Sequence, residues 1–168
     1  PGAAVLSPRG TVLENGMPRF FRRLREGVFD EDDLRARTDD LADLVLAAQS
    51  EYAVPAGFWT AVGFSNGANI ASALLLRRPE VLAGAVLIAA MVPFQHAPTD
   101  VDLTGKRIAV VNGRRDPMAT PQQTRSLVAQ LRAAGAQVSE IAHDGGHVLD
   151  PALLPAIRDF IAQTAPRA

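Results

Sequence analysis

Two rhythms of apolar residues alternate along this chain. Short, nearly unbroken apolar runs recur at residues 3–6, 58–62, 82–90, 107–111 and 137–142. Between them, apolar residues return at helical spacing: Leu41, Leu44, Val45 and Ala48; then Ala68, Ile70, Ala71, Leu74 and Leu75; then Leu127, Val128 and Leu131; finally Leu153, Leu154, Ile157, Phe160 and Ile161. Continuous rather than alternating runs predict strands buried on both faces, and strand–helix alternation predicts a mostly parallel sheet between helical layers. Local signals fit that reading. Thr38 is the expected N-cap of the first helix, with Asp39 and Asp40 in its first turn. Thr120-Pro121-Gln122-Gln123 opens a helix that Gly135 ends, and Asp150-Pro151 opens the last one. Residues 3–6 read as a buried strand closed by the turn Ser7-Pro8-Arg9-Gly10. Residues 11–33 have no steady period and show no hairpin signal. They read as a long excursion, helical near its end, whose Met17, Phe20, Phe21 and Phe29 predict a pocket wall or a flap over the core.

Composition narrows the class. With 168 residues, 48% hydrophobic and 21% charged, the chain suits a single α/β domain spanning 1–168. A net charge of −1 gives no electrostatic case for nucleic acid or anionic membrane, and no apolar run is long enough to span a bilayer. The arginines at 19, 22, 23 and 25 read as a solvated face. The absence of cysteine excludes disulfides, thiol nucleophiles and cysteine-bound metal. No signal peptide pattern is visible, and a cytoplasmic location is the expectation.

Chemistry concentrates at the ends of the predicted strands. The run at 58–62 stops at Gly63-Phe64-Ser65-Asn66-Gly67 and continues as a helix, the strand–turn–helix context of a nucleophile elbow. Glycines at 63 and 67 are expected where a side chain would collide with neighbouring backbone. Ser65 should then be held in a strained conformation at a helix N-terminus. A serine needs a base, and the base a carboxylate to fix its tautomer. Of the three histidines, His147 follows Gly145-Gly146 between the last strand and last helix; His143 is the alternative, and His96 sits in a Pro-rich loop. Asp116, in Asn112-Gly113-Arg114-Arg115-Asp116-Pro117, is the leading carboxylate, ahead of Asp100, Asp102, Asp144 and Asp150. The order Ser65, Asp116, His147 is that of α/β-hydrolases.

The stretches GFSNGANIA, LLLRRPEVLAGAVL, AMVPF, NGRRDPM and GGHVLDPALLPAI, with AVLSPRG and GMPRFFRR before them, resemble the small bacterial carboxylesterases of the phospholipase/carboxylesterase family, relatives of acyl-protein thioesterases. The resemblance spans nearly the whole chain. It implies a three-layer α/β-hydrolase fold, short-chain acyl esters as substrates and no cofactor; no metal is expected either, since His143 and His147 are four apart in a Gly-containing loop and not on a helix. It also implies catalytic roles for Ser65, Asp116 and His147, an oxyanion contact from the amide of Asn66, and an acyl pocket made by Met91, Val92 and Met118 with Phe20 and Phe21 nearby.

The same resemblance implies an N-terminally truncated fold. Family members carry earlier strands, one of them ending in a His-Gly-x-Gly-Gly loop that donates to the oxyanion, and no such segment is in this sequence. Three arrangements could complete the sheet: a separate N-terminal fragment, a swapped protomer in a homodimer, or the 3–6 strand moved into the vacant slot. The first two are preferred, since a sheet gap calls for a strand. Rival functions are a catalytically silent scaffold, a lysophospholipase or thioesterase variant, and a nucleotide-binding domain; the last lacks both Gly-x-Gly-x-x-Gly and a Walker-type motif.

Overall fold

The computed structural model describes residues 3–164. After an extended, exposed stretch, two small hairpins come first: β1 (Val12–Glu14) pairs with β2 (Met17–Arg19), and β3 (Arg23–Arg25) with β4 (Val28–Phe29), all antiparallel. The first turns at Asn15-Gly16, both with positive φ (52° and 78°), the two-residue turn that Asn-Gly favours. The segment read as a helix-tipped excursion is therefore two hairpins. The signal was present at Asn15-Gly16.

Helix α1 (Glu31–Glu51) starts seven residues before the expected cap. Asp30 caps it, its carboxylate accepting from the amide of Asp33, while Glu31, Asp32 and Asp33 meet the positive end of the helix. Thr38 is buried inside the helix, and its hydroxyl donates to the Leu34 carbonyl at 2.7 Å. The buried stripe accordingly includes Leu34, Ala42, Val45 and Ala48, whereas Leu44 is exposed.

The main sheet has four parallel strands in the order β5 (Thr60–Phe64), β6 (Gly84–Ile88), β7 (Arg107–Gly113) and β8 (Gln137–His143). Helices α2 (Asn66–Arg77), α3 (Pro121–Ala133) and α4 (Leu154–Thr164) make the crossovers and the closing layer. Thr120 caps α3 by accepting from the amide of Gln123, and Asp150 accepts from the amide of Ala152 in the turn leading into α4. One face of the sheet packs Ala85, Leu87, Ile108 and Val110 against α1, α2 and α3. The other packs Val86, Ile88, Ala109 and Val111 under Ile157 and Phe160 of α4. The fold is α/β.

Residues 3–6 form no strand and are exposed, Val5 to 87%. A strand is held by its neighbour's hydrogen bonds, and among the described residues nothing pairs with this run. It does not occupy a slot beside β5, so the third way of completing the sheet is not the one adopted. Among the described residues β5 has a single partner, β6, and its other edge is open. No helix among them is long and apolar enough to cross a membrane.

Candidate active site

Each main strand delivers one part of the site at its carboxyl end, the side on which open α/β sheets gather their functional groups. After β5 the chain turns so sharply that a Cβ on Gly63 would lie 2.5 Å from the Gly67 carbonyl group. At Gly67 itself a Cβ would meet only the Phe20 ring, at 3.7 Å, so the close approach constrains one glycine, not both. Ser65 occupies the apex with φ 52° and ψ −113°, a conformation costing a non-glycine residue about 1–3 kcal/mol. It is held there by its amide, which donates to the Ile88 carbonyl at 2.8 Å, and by α2 starting at the next residue. Asn66 is the first residue of α2, where a helix leaves its backbone N–H without an internal acceptor. Its side-chain oxygen accepts from the Phe20 amide at 2.8 Å, tying the first hairpins to the turn.

After β7, Asp116 is buried, its side chain wholly shielded from solvent. One carboxylate oxygen accepts from the amides of Met118 and Ala119 at 2.8 and 2.9 Å; the other lies 2.8 Å from His147 Nδ1. His147 Nε2 lies 2.8 Å from Ser65 Oγ. With a carboxylate at Nδ1, the tautomer that satisfies both contacts carries its proton on Nδ1 and presents a lone pair at Nε2. Phe64 lies beside the imidazole, with ring centroids 5.3 Å apart.

The loops bearing Asp116 and His147 are fastened together. A Cβ on Gly113 would stand 2.4 Å from the carbonyl oxygens of Gly145 and Gly146, and the amides of Arg114 and Arg115 donate to the carbonyls of His143 and Gly145. His143 is buried and serves this loop: its Nδ1 accepts from the Gly145 amide at 3.1 Å. His96 is exposed in its loop. Asp102 accepts from the Thr104 amide, Asp144 pairs with Arg114 and Asp150 caps a turn, so none of the three approaches Ser65.

A cavity of about 70 Å³ opens at Ser65, and Phe21, Met91 and Met118 are part of its wall. Phe20 and Val92 lie outside that wall, Phe20 on the core and Val92 with its amide donating to Gln123. The arginine cluster divides. Arg22 and Arg25 are exposed, but Arg19 and Arg23 are about three-quarters shielded and line the cavity, correcting the solvated face read from sequence. Asn69 and Ala89 were not anticipated. Asn69 is a buried polar residue on α2 whose oxygen accepts from the Met91 amide at 2.8 Å; a polar residue within an apolar helical stripe was its signal. Ala89, with φ 52°, turns the chain after β6 as Ser65 does after β5, and no sequence feature marks it.

The strand-end turn at Ser65, the parallel sheet and the sequence together place this chain in the carboxylesterase family of α/β-hydrolases, and it is an ester hydrolase. It is 46% identical over 149 residues to the protein named "Putative hydrolase MhqD" from Bacillus subtilis (strain 168), a match covering 89% of this chain and 74% of that protein. Among solved structures it resembles the Bacillus cereus carboxylesterase, at 39% identity with a TM-score of 0.88 over 93% of this chain and 73% of that one. The carboxylesterase from Mesorhizobium loti matches at 28% identity and a TM-score of 0.85, over 92% and 73% of the two chains. No family model matches the chain.

Proposed function

We propose that this protein is a serine carboxylesterase that cleaves short-chain acyl esters through an acyl-enzyme on Ser65. The observation that carries the reading is the unbroken hydrogen-bonded line Asp116–His147–Ser65, with both links at 2.8 Å. His147 Nε2 takes the hydroxyl proton as Ser65 Oγ attacks the ester carbonyl. Asp116 holds the imidazole in the tautomer that can accept it and stabilises the imidazolium that forms. The tetrahedral oxyanion rests on the amide of Asn66, at the positive end of α2. His147 then protonates the departing alcohol, and a water activated by the same nitrogen releases the acid.

The dimensions of the cavity favour a short acyl group, with Phe21, Met91 and Met118 as its apolar walls. Turnover of 4-nitrophenyl acetate and butyrate tests the reading. Ser65→Ala should lower kcat about 10³-fold or more with KM little changed. Equal turnover by the variant would contradict it.

The open edge of β5 bears on the partners. Parallel strands are seldom left at an edge with apolar side chains in water, and Val62 and Phe64 are 55% and 44% exposed. The reading this supports is a further strand beside β5, brought by a chain segment outside the described residues, on this or another polypeptide, or by a swapped protomer. Such a segment is also the natural source of a second oxyanion donor, worth about 10²–10³ in rate. Intact mass and sedimentation of the purified sample distinguish the cases. A lone 168-residue monomer with full activity would speak against them all.

A further inference from the structure

The wall of the Ser65 cavity carries more positive charge than the proposed chemistry uses. Among the described residues, Arg19, Arg23 and His147 are its titratable members and no carboxylate lines it. His147 is engaged with Ser65 and Asp116, but the two guanidinium groups have no part in acyl transfer. Both reach a single acid: Glu14 pairs with Nε of Arg19 and, at 2.8 Å, with Nε of Arg23. This ion pair ties the first hairpin to the second and holds the Glu14 carboxyl below its usual range, chiefly through the Arg23 hydrogen bond. One arginine would suffice for that joint. Two guanidinium groups share one paired carboxylate in a partly shielded pocket, and Glu26 acts on Arg23 through space. A guanidinium has five donors in a planar fork, and among the described residues the hydrogen bonding of Arg23 is from Nε alone. Its terminal N–H groups are not taken up by Glu14. Glu26, at the neighbouring turn, is exposed and forms no ion pair among the described residues.

We infer that Arg19 and Arg23 form an anion-recognition subsite within the cavity that holds Ser65, and that the preferred substrate is an ester whose acid half carries a second carboxylate. The inference rests on Ser65 being the nucleophile. The acid half is the one that stays on the enzyme, so it is the half the cavity must hold. A carboxylate offers the planar, bidentate acceptor that a guanidinium fork fits, in a site screened enough to strengthen the contact. Attack forms the Ser65 Oγ–acyl bond and breaks the bond to the alcohol oxygen, which leaves with the proton carried by His147. Water then cleaves the acyl-enzyme, and the product is a free dicarboxylate.

The test compares kcat/KM for mono-4-nitrophenyl glutarate and 4-nitrophenyl valerate, which have acyl chains of equal carbon count and differ in the terminal charge. In Arg23→Gln the glutarate-to-valerate ratio should fall about tenfold, and in Arg19→Gln it should fall in the same direction. Glu14→Gln supplies the readout that a purely structural joint would not give. It breaks the same ion pair but releases both arginines, so the ratio should rise at least about twofold. A ratio unmoved in both arginine variants, or one that falls in Glu14→Gln as well, overturns the subsite while valerate turnover keeps the Ser65 reading intact. Should neither ester be hydrolysed, the Ser65 reading fails, and titration calorimetry with glutarate decides the subsite alone. Binding weakened about tenfold in Arg23→Gln supports it; no binding, or equal binding, overturns it.

Discussion

Val62 of β5 and Val86 of β6 are register partners on the same sheet face, yet Val86 is fully buried and Val62 is 55% exposed. The next pair on that face repeats the contrast, with Ile88 buried and Phe64 44% exposed. Residue type does not separate them. What does is α4, whose Ile157 and Phe160 cover β6 and β7, while the helix meets β5 at the start of that strand, where Thr164 Oγ1 lies 3.3 Å from Thr60 Oγ1. On its other face β5 is finished: Gly63 lies against the first turn of α2 so closely that no side chain fits. One strand thus has a rigid side that sets the position of Ser65 and a largely uncovered side, on which Phe64 still lies beside the imidazole of His147.

Substitutions can break or sharpen that contrast. The largest effect is expected at Gly63→Ala, where the added methyl meets the Gly67 carbonyl. Denaturant unfolding should show a loss of about 3 kcal/mol, with activity falling too as the turn at Ser65 opens. A loss near zero would mean the turn can relax, and the rigid side of β5 would not be rigid. Next comes the valine pair. Val86→Ala should cost about 2–3 kcal/mol and Val62→Ala about 0.5 kcal/mol or less, since only the first leaves a cavity. Equal costs would show that something in the sample covers the outer face of β5. The smallest effect concerns the bidentate ion pair of Asp39 on α1 with Arg77 on α2, both contacts at 2.7 Å. The hydrogen bond from Arg77 lowers the Asp39 carboxyl below its ordinary value. A lowered folded-state value gives stability that is present above the unfolded value near 4 and is lost as pH falls through the folded one. Asp39→Asn should therefore cost about 0.5 kcal/mol at pH 7 and progressively less as the pH falls below about 4, both partners being over a third exposed.

How far the sequence could be read follows from the same physics. The caps at Thr120 and Asp150 and the stop at Gly135 are local, each settled by a few neighbouring backbone groups, and the structure has them where expected. Ser65, Asp116 and His147 were singled out because turn residues mark strand ends, and the structure brings the three side chains together. Where two local signals compete, the one farther along the chain misleads: Thr38 has the composition of a cap, but Asp30 with three following acids starts the helix earlier. The hairpins were missed although Asn15-Gly16 announces one. Residues 3–6 have strand composition, yet pairing is non-local, and no apolar run reveals whether a neighbour is there. The place of Arg19 and Arg23 in the cavity wall was illegible for a like reason, since it depends on how two hairpins fold over a distant turn.

The proposed chemistry needs Ser65 as its nucleophile, and that is measured most directly by labelling with a fluorophosphonate and mapping the adduct by peptide mass. A single adduct on Ser65, absent in Ser65→Ala and formed far more slowly in His147→Ala, is the expected result. Labelling elsewhere, or at the same rate without the imidazole, would contradict it.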